Sequence, residues 1–546
     1  MNRLFLVTMA LLALVLAASL TLLIVMGAYW ADGYFQPPPS TLLPLTSQVP
    51  SNSSGWRSVA ELIEQSWNPA VAPCRSFRNY ACGGWLANHS SSPVQLTRLQ
   101  IRANLSRQLQ DIDVRKEAQK SICNAAILYQ SCSSYNASPN ANVSQTPLLS
   151  HLRDLTAWPI ISPGNSWSPS AFNASLPRVL GTITGYYSIP ALFSLSLAAR
   201  PEEPSQTVLA IDEPTLSFPS REAYLVPDLA TLFKQLYIDQ VTEVAKRLAG
   251  DLGTLASVEA HFAAYAENMW TFEAALARRL SALRLPPSLA NYSLLSLDQL
   301  DRRYAQLRLR EALTFALPQG LSVSSVLVRC PEFLEQAAIL VEETGLRLLA
   351  DYLVWRSLQA KLEFLNGPPV PGIAVPEPSE RCLAHVEAWL PMAVSRLYLD
   401  RLWQGPAGIG TANLLLLQLR QEFALTLSSA NWLELGSLNA VEAKSANMHV
   451  DLGYPNWIFN DSLLNRLYPN DLVPGQPWWD TYEVAWDWSQ QQRFAVLKNF
   501  NAPASRTPPN WLPHNPEIQI RWPSALHCFK PHSSIPPTLR PGTGAV

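Results

Sequence analysis

The sequence is poor in charge. Only 15% of its 546 residues are Asp, Glu, Lys or Arg, 40 basic against 42 acidic, for a formal net charge of −2 with no long run of either sign. That balance lacks the basic footprint that nucleic-acid binding requires. Glycine is scarce too, 22 residues against 45 prolines, a ratio suited to stiff connections and helix starts. There are eight histidines, His89, His151, His261, His385, His449, His514, His527 and His532, and none is followed by another four residues later. The chain therefore has no HExxH helix, the motif that sets two imidazoles on one face with a glutamate as base. His527 and His532 lie five apart in a Pro-rich tail where no helix aligns them, so they make a poor metal pair. No Gly-x-Ser-x-Gly elbow occurs, and no cysteine has a protease-like context. The carboxylate pairs Glu202-Glu203 and Glu342-Glu343 are adjacent and read as solvated surface. Internal repeats are absent. General disorder is excluded by 48% hydrophobic residues and 18 tryptophans.

What is present points to export. Leu4 to Trp30 is a run of 27 residues without a charge, longer than the ~20 that cross a bilayer. Arg3 precedes it and Asp32 follows, so the positive-inside rule predicts a cytoplasmic N-terminus and a lumenal or extracellular body. The other reading is a long signal peptide cleaved near Ala17-Ala18-Ser19, which sends the body to the same side and makes it secreted. Eight Asn-x-Ser/Thr sequons, at Asn52, Asn88, Asn104, Asn136, Asn142, Asn173, Asn291 and Asn460, predict a glycosylated surface. Seven cysteines in an oxidising compartment read as disulfides first, and the odd count leaves at least one thiol without an internal partner.

Residues 31–70 contain FQPPPSTLLPLTSQVPSNSSG and predict a Pro/Ser-rich stalk. Beyond about residue 99 the pattern is mainly helical. TLFKQLYIDQVTEVAKRLAG spaces Leu232, Leu236, Ile238, Val241, Val244 and Leu248 for one helix face, with Gly250 as its C-cap candidate. Similar runs cover 255–283, 332–365, 382–404 and 412–427, and TVLAID at 207–212 is one of few strand-like pieces. After about residue 500 the composition becomes Pro-rich, and what remains is too short for a domain of its own.

The stretch PCRSFRNYACGGWL at 73–86 is neither a zinc knuckle nor a phosphate loop, because its cysteines are eight apart and Gly-Gly is followed by Trp. It resembles the opening signature of the neprilysin-like zinc metallopeptidase family (neprilysin, endothelin-converting enzyme, Kell). Further stretches resemble that family in its own order: QKSICNAAILYQSC at 119–132, IDEPTLSFPSREAYL at 211–225, VRCPEFL at 328–334, DYLVWRSL at 351–358 and RCLAHVEAWLPMAVSRLYL at 381–399. Trp432, Lys444 and Gly453-Tyr454-Pro455 complete the series, which covers roughly 70–500. The resemblance implies a Cys132–Cys382 disulfide. It ties the two cysteines of the opening motif to the far C-terminal part of the catalytic domain. Two alignments of the ending remain. RWPSALHCFKPHSSIPP at 521–537 is similar to the family's last block, which pairs Cys74 with Cys528; IQIRWPSAL at 518–526 is similar to the strand that precedes HExxH. Under either, Cys82 lacks its family partner, and the pairing of Cys123 and Cys330 stays open. Arg98 lies one residue out of register with the family's substrate-carboxylate arginine and reads as a surface charge. The family's substrate-binding strand is not recognisable, since Asn501-Ala502 is followed by Pro503.

The expected organisation is a cytoplasmic tail at 1–3, a transmembrane helix at 4–30, a stalk at 31–70, a large mainly α domain like the neprilysin N-terminal helical domain at 71–500, and a remnant or tail at 501–546. The resemblance implies a zinc metalloendopeptidase, yet the chain holds no zinc motif, no catalytic residue and no metal ligand. The expected role is a catalytically inactive ectodomain, at the plasma membrane or in the secretory pathway, that binds a peptide or another ectodomain, with homodimerisation covering exposed apolar surface. The alternative is an incomplete form of an active zinc metalloendopeptidase. The reading includes no nucleic-acid partner.

Overall fold

The computed structural model describes residues 54–498, except 90, 138–146, 165, 201–205, 219, 281–291, 366–367, 374–375, 402–406, 431, 447–448, 452–453 and 469–471, together with 519–521. The chain divides into two compact units, one within residues 1–93 and one within 94–546.

In the first unit, helices α1 (Ser54–Ser66) and α2 (Phe77–Asn88) form a hairpin. Helix α1 lies in the segment expected to be stalk, and its apolar residues Val59, Leu62 and Ile63 are exposed. Ser76 caps α2, its Oγ accepting from the Asn79 N–H at 3.4 Å. The hairpin gives the opening motif a physical reason. A Cβ at Gly84 would stand 2.5 Å from the Gln65 carbonyl oxygen and 2.7 Å from that of Trp67, so only glycine lets α2 lie against the end of α1. The Asn68 N–H donates to the Tyr80 carbonyl at 2.6 Å in the same contact. Trp85 is buried, donates from Nε1 to Ser91 O at 2.9 Å and stacks on His89. Gly84→Ala must displace backbone atoms rather than a side-chain tip, an overpacking cost of about 1–3 kcal/mol. The expected result is faster limited proteolysis between residues 54 and 93, with cleavage elsewhere unchanged.

The second unit is mainly helical. Its helices of eight residues or more, among the described residues, are α3 (Pro93–Asp111), α4 (Lys120–Ala137), α5 (Pro147–Leu155), α6 (Pro169–Gly181), α7 (Pro227–Asp251), α8 (Phe262–Arg279), α9 (Leu309–Ala316), α10 (Pro331–Glu343), α11 (Leu346–Gln359), α12 (Pro378–Trp389), α13 (Pro391–Arg401), α14 (Ala407–Ser428), α15 (Leu435–Ala446) and α16 (Trp478–Lys498). Pro169, Pro227, Pro331 and Pro378 stand in first turns, where a missing N–H costs nothing. A four-stranded sheet of order β1-β2-β4-β3 is formed by β1 (Ser194–Ala199), β2 (Thr207–Asp212), β3 (Ser293–Ser296) and β4 (Ser325–Val328). Strand β2 coincides with TVLAID and runs parallel to β4, Ile211 opposite Val328. A two-stranded ladder pairs β5 (His449–Asp451) with β6 (Gln519–Arg521), Val450 opposite Ile520.

The core holds Trp158, Trp355, Trp488, Tyr237, Tyr352 and Phe262, all essentially inaccessible. Three local expectations need correction. Gly250 does not close α7, which runs to Asp251; the left-handed residue is Gly253, at φ 71°. Leu232 is 65% exposed, because the buried face of α7 begins at Tyr237 and continues through Val241, Val244 and Leu248. The run at 255–283 is divided, since two short turns precede α8. Glu342 and Glu343 are exposed. No helix among the described residues is long and apolar enough to cross a membrane; Leu4–Trp30, where the anchor is expected, lies outside them.

Candidate functional site

Beyond the opening motif, stretches that carry the family resemblance meet one another in the second unit, and what they build there is scaffold. Cys132 at the end of YQSC is joined to Cys382 in RCLAHVEAW by a disulfide with Cα atoms 5.6 Å apart, the two residues that the resemblance pairs. The bridge fastens α4 to α12. IDEPTLS and DYLVWRS meet around one buried ion pair: Arg356 Nη1 donates to Glu273 Oε1 at 3.0 Å and to Thr215 O at 2.7 Å. Glu273 also accepts from the Ser217 N–H at 2.7 Å and from Ser217 Oγ at 2.9 Å. Glu273 is fully inaccessible and Arg356 is 6% exposed, so each charge depends on the other. Burial and the Glu273 charge push Tyr224 and Tyr237 up, so both phenols stay neutral. VRCPEFL joins the same assembly, the Arg329 N–H donating to Ile211 O at 2.9 Å. In AVSRLYL, Arg396 donates to Ile458 O at 2.9 Å and to Asp461 Oδ1 at 3.0 Å, holding the turn that follows Tyr454-Pro455.

A second buried cluster sits under α16. Lys361, 2% exposed, donates to Glu483 Oε1 at 3.2 Å, and its ammonium lies 4.3 Å from the Tyr187 ring centroid, 4.7 Å from Tyr482 and 4.9 Å from Trp479. Burial lowers the Lys361 pKa, and Glu483 opposes that. A lysine lowered by burial is a nucleophile candidate. Here three rings and a carboxylate surround it, and it is 2% exposed, so its place is in the core. His151, fully buried, shares a 2.7 Å hydrogen bond with Ser357 Oγ; burial, then the Lys361 charge, hold it well below the usual imidazole range.

Asp351 is the most perturbed carboxyl. It is 1% exposed, its Oδ1 accepts from the Ile160 N–H at 2.9 Å, and burial raises its pKa to about 7 against the pull of Arg347. Because the folded-state value lies above the unfolded one, the fold binds this proton more tightly and loses stability as pH rises from about 4 to about 7. Asp351→Asn keeps the acceptor and removes the ionisation. The variant is expected to gain about 2–4 kcal/mol over the wild type at pH 7.5 and to match it near pH 4, read from paired denaturant midpoints. The pairing cancels the opposite contribution of His151, whose depressed pKa costs stability below about pH 6.5.

Besides a cavity beside Tyr186, two surfaces are open to a ligand. A groove of about 520 Å³ runs between α3 and the start of α12, lined by Leu99, Arg102, Arg107, Tyr129, Glu380 and Leu383 among others. Arg102 in its wall is ion-paired with Glu387. Arg98 lies one turn earlier on α3, exposed and outside the groove. The other surface is α14 with the segment after it. Leu414, Leu415, Leu417, Leu419, Phe423 and Leu425 are 43–65% exposed, and Trp432 and Leu435 more so.

The family's zinc does not fit the residues present. The sequence supplies no HExxH, and among the described residues no three His, Cys, Asp or Glu side chains converge. His89 stacks on Trp85, and His385 lies 3.0 Å from Glu363. His527, His532 and Cys528 lie outside the described residues, as do Asn52, Asn142, Asn291 and the side chain of Asn136. Among the other sequons, Asn88, Asn173 and Asn460 are exposed and Asn104 is half-buried. Cys74 and Cys82 are both exposed; Cys123 donates to Val114 O at 3.3 Å, and Cys330 is half-buried with its thiol pushed up by burial.

Comparison with known proteins agrees with this reading of the scaffold. Residues 73–455 match the N-terminal model of peptidase family M13. The mouse protein named membrane metallo-endopeptidase-like 1 is 25% identical over 446 residues, 74% of this chain and 55% of its own length. Neprilysin-11 of Caenorhabditis elegans is 25% identical over 450 residues, 77% and 51% respectively. The chain thus spans about half the length of these relatives. Among solved structures, a Mycobacterium tuberculosis zinc metalloprotease bound to an inhibitor superposes with a TM-score of 0.60 at 17% identity, over 82% of this chain and 66% of that one. The Haemonchus galactose-containing glycoprotein complex gives 0.60 at 16%, over 84% and 66%. At these identities the likeness is one of fold.

Proposed function

Because the chain belongs to peptidase family M13 and its matched part is the family's N-terminal helical domain, we propose that it is an exported, membrane-anchored ectodomain that binds peptides or another ectodomain and does not hydrolyse them itself. The observation that carries this reading is the separation of scaffold from chemistry. The Arg356–Glu273 ion pair and the Cys132–Cys382 bridge join family stretches in the core, whereas the motif that would hold zinc is missing from the sequence. The exposed apolar side chains of α14 support a binding role. Six large ones stand in the open around this one helix, and exposed apolar surface of this kind marks interaction sites. The Leu4–Trp30 segment, the sequons and the disulfide support the export half of the reading. The test is selection of a displayed peptide library on the full-length chain. Enrichment of related sequences that Leu415→Lys with Phe423→Lys abolishes supports binding through α14; no enrichment contradicts it.

One observation favours a second reading, in which this chain is an incomplete form of a zinc metalloendopeptidase. Gln519–Arg521 forms the strand β6, inside IQIRWPSAL, the stretch similar to the family's strand before HExxH. Sequencing the transcript across the region encoding residues 495–546 decides between them. An HExxH segment joined to that strand supports the second reading, and a frame that reads as given contradicts it.

A further inference from the structure

Two irregular backbone features of the second unit lie beside one cavity. Helix α6 passes into a π-helical turn at Thr182–Tyr186, a rare wider turn frequently found at functional sites. Two residues on, Ser188 has φ 54°, the left-handed region that a β-carbon disfavours. That conformation is held from α16: Ser188 Oγ donates to Gln490 Oε1 at 3.2 Å, and Arg493 donates to Ser188 Oγ. The Trp486 indole N–H donates to Tyr186 O at 2.9 Å, fixing the end of the π turn against the same helix. Gln490 is buried although polar, so its amide is committed to this structure. The result is a cavity of about 480 Å³, walled by Leu317, Pro318 and Phe494 on its apolar side and by Tyr186, Asp487 and Gln491 on its polar side.

The lining carries one charge, the Asp487 carboxylate. Its Oδ2 accepts from Gln491 Nε2 at 2.7 Å, and no cation among the described residues pairs with it. The neighbouring charges are spoken for. Glu483, one helical turn away, pairs with Lys361; Arg493 is directed at Ser188 Oγ and Leu195 O and does not line the cavity. Burial, with the charges of Glu483 and Asp487, pushes the Tyr186 phenol up, so it stays a neutral donor with a π face beside a carboxylate. An aliphatic stem fits the Leu317–Pro318–Phe494 wall, and a cationic head fits the carboxylate and the ring.

We propose that this cavity receives the lysine or arginine side chain of a peptide ligand, with Asp487 as the ion partner and Tyr186 as the ring beneath it. This rests on the peptide-binding reading above and names the side-chain class that the protein selects. The test uses the full-length chain in detergent and fluorescent pentapeptides with a central Arg, Lys or Gln, otherwise identical, followed by anisotropy. The Arg and Lys peptides are expected to bind about tenfold or more tighter than the Gln peptide, and the gap to narrow as salt rises. Asp487→Asn is expected to abolish the gap while the denaturation midpoint is unchanged. Gln319→Lys, an exposed substitution at the rim that sets a competing cation there, is expected to do the same and covers the case in which Asp487→Asn folds poorly. Equal binding of the three peptides, or a gap that survives both variants, overturns the proposal. Binding that depends on Leu415 and Phe423 but not on side-chain charge overturns the cavity alone, whereas no binding of any peptide overturns both readings.

Discussion

Arg356→Met is expected to destabilise the folded chain by about 3–5 kcal/mol, enough to leave little of a typical domain's stability. The effect is large because of what remains behind. Glu273 is inaccessible to water and keeps its acceptor contacts with Ser217, so removing the guanidinium strands a full negative charge in the core. Thr215 O loses its donor as well. The double variant differs: with Glu273→Gln added no charge is stranded, and most of the lost stability should be recovered, as a double-mutant cycle will show. A full loss that persists in the double variant contradicts the ion-pair explanation and points to packing instead.

The Cys132→Ser, Cys382→Ser pair is the second large effect. The bridge closes a loop with a sequence separation of 250, for which chain entropy gives about 5 kcal/mol and measured bridges usually 2–5. Both sulfurs are buried, Cys132 at 1% and Cys382 at 0% exposure, so a reductant reaches them only when the core opens. Thus the denaturant midpoint of the wild type should fall to that of the double serine variant in dithiothreitol after unfolding. The native protein should meanwhile resist reduction for far longer than a surface disulfide would.

The fold was legible where the sequence is periodic or bears a family stretch. Mainly helical architecture, the β2 strand and the elements that carry Cys132 and Cys382 could all be read from residues. The reasons behind the stretches could not. Nothing in IDEPTLS or DYLVWRS says that Arg356 and Glu273 share a buried charge, because the contact spans 83 positions and the glutamate lies outside both stretches. Gly83-Gly84 was conspicuous in the sequence, yet its purpose depends on the approach of the Gln65 and Trp67 carbonyls. Periodicity also misled at Leu232 and Gly250, since a helix can leave its first turns unburied and outlast a glycine. The cavity beside Tyr186 has no sequence signal, because a π turn and a left-handed serine are imposed by α16 from some 300 residues away.

The central proposal is that this chain, which matches the N-terminal domain of peptidase family M13, binds peptides without zinc chemistry of its own. Equilibrium dialysis of the full-length chain against zinc, with peptide hydrolysis measured on the same sample, tests it most directly. The account predicts no stoichiometric zinc retained after exchange and no hydrolysis that a chelator removes. One zinc per chain, retained tightly and accompanied by chelator-sensitive cleavage, would contradict it.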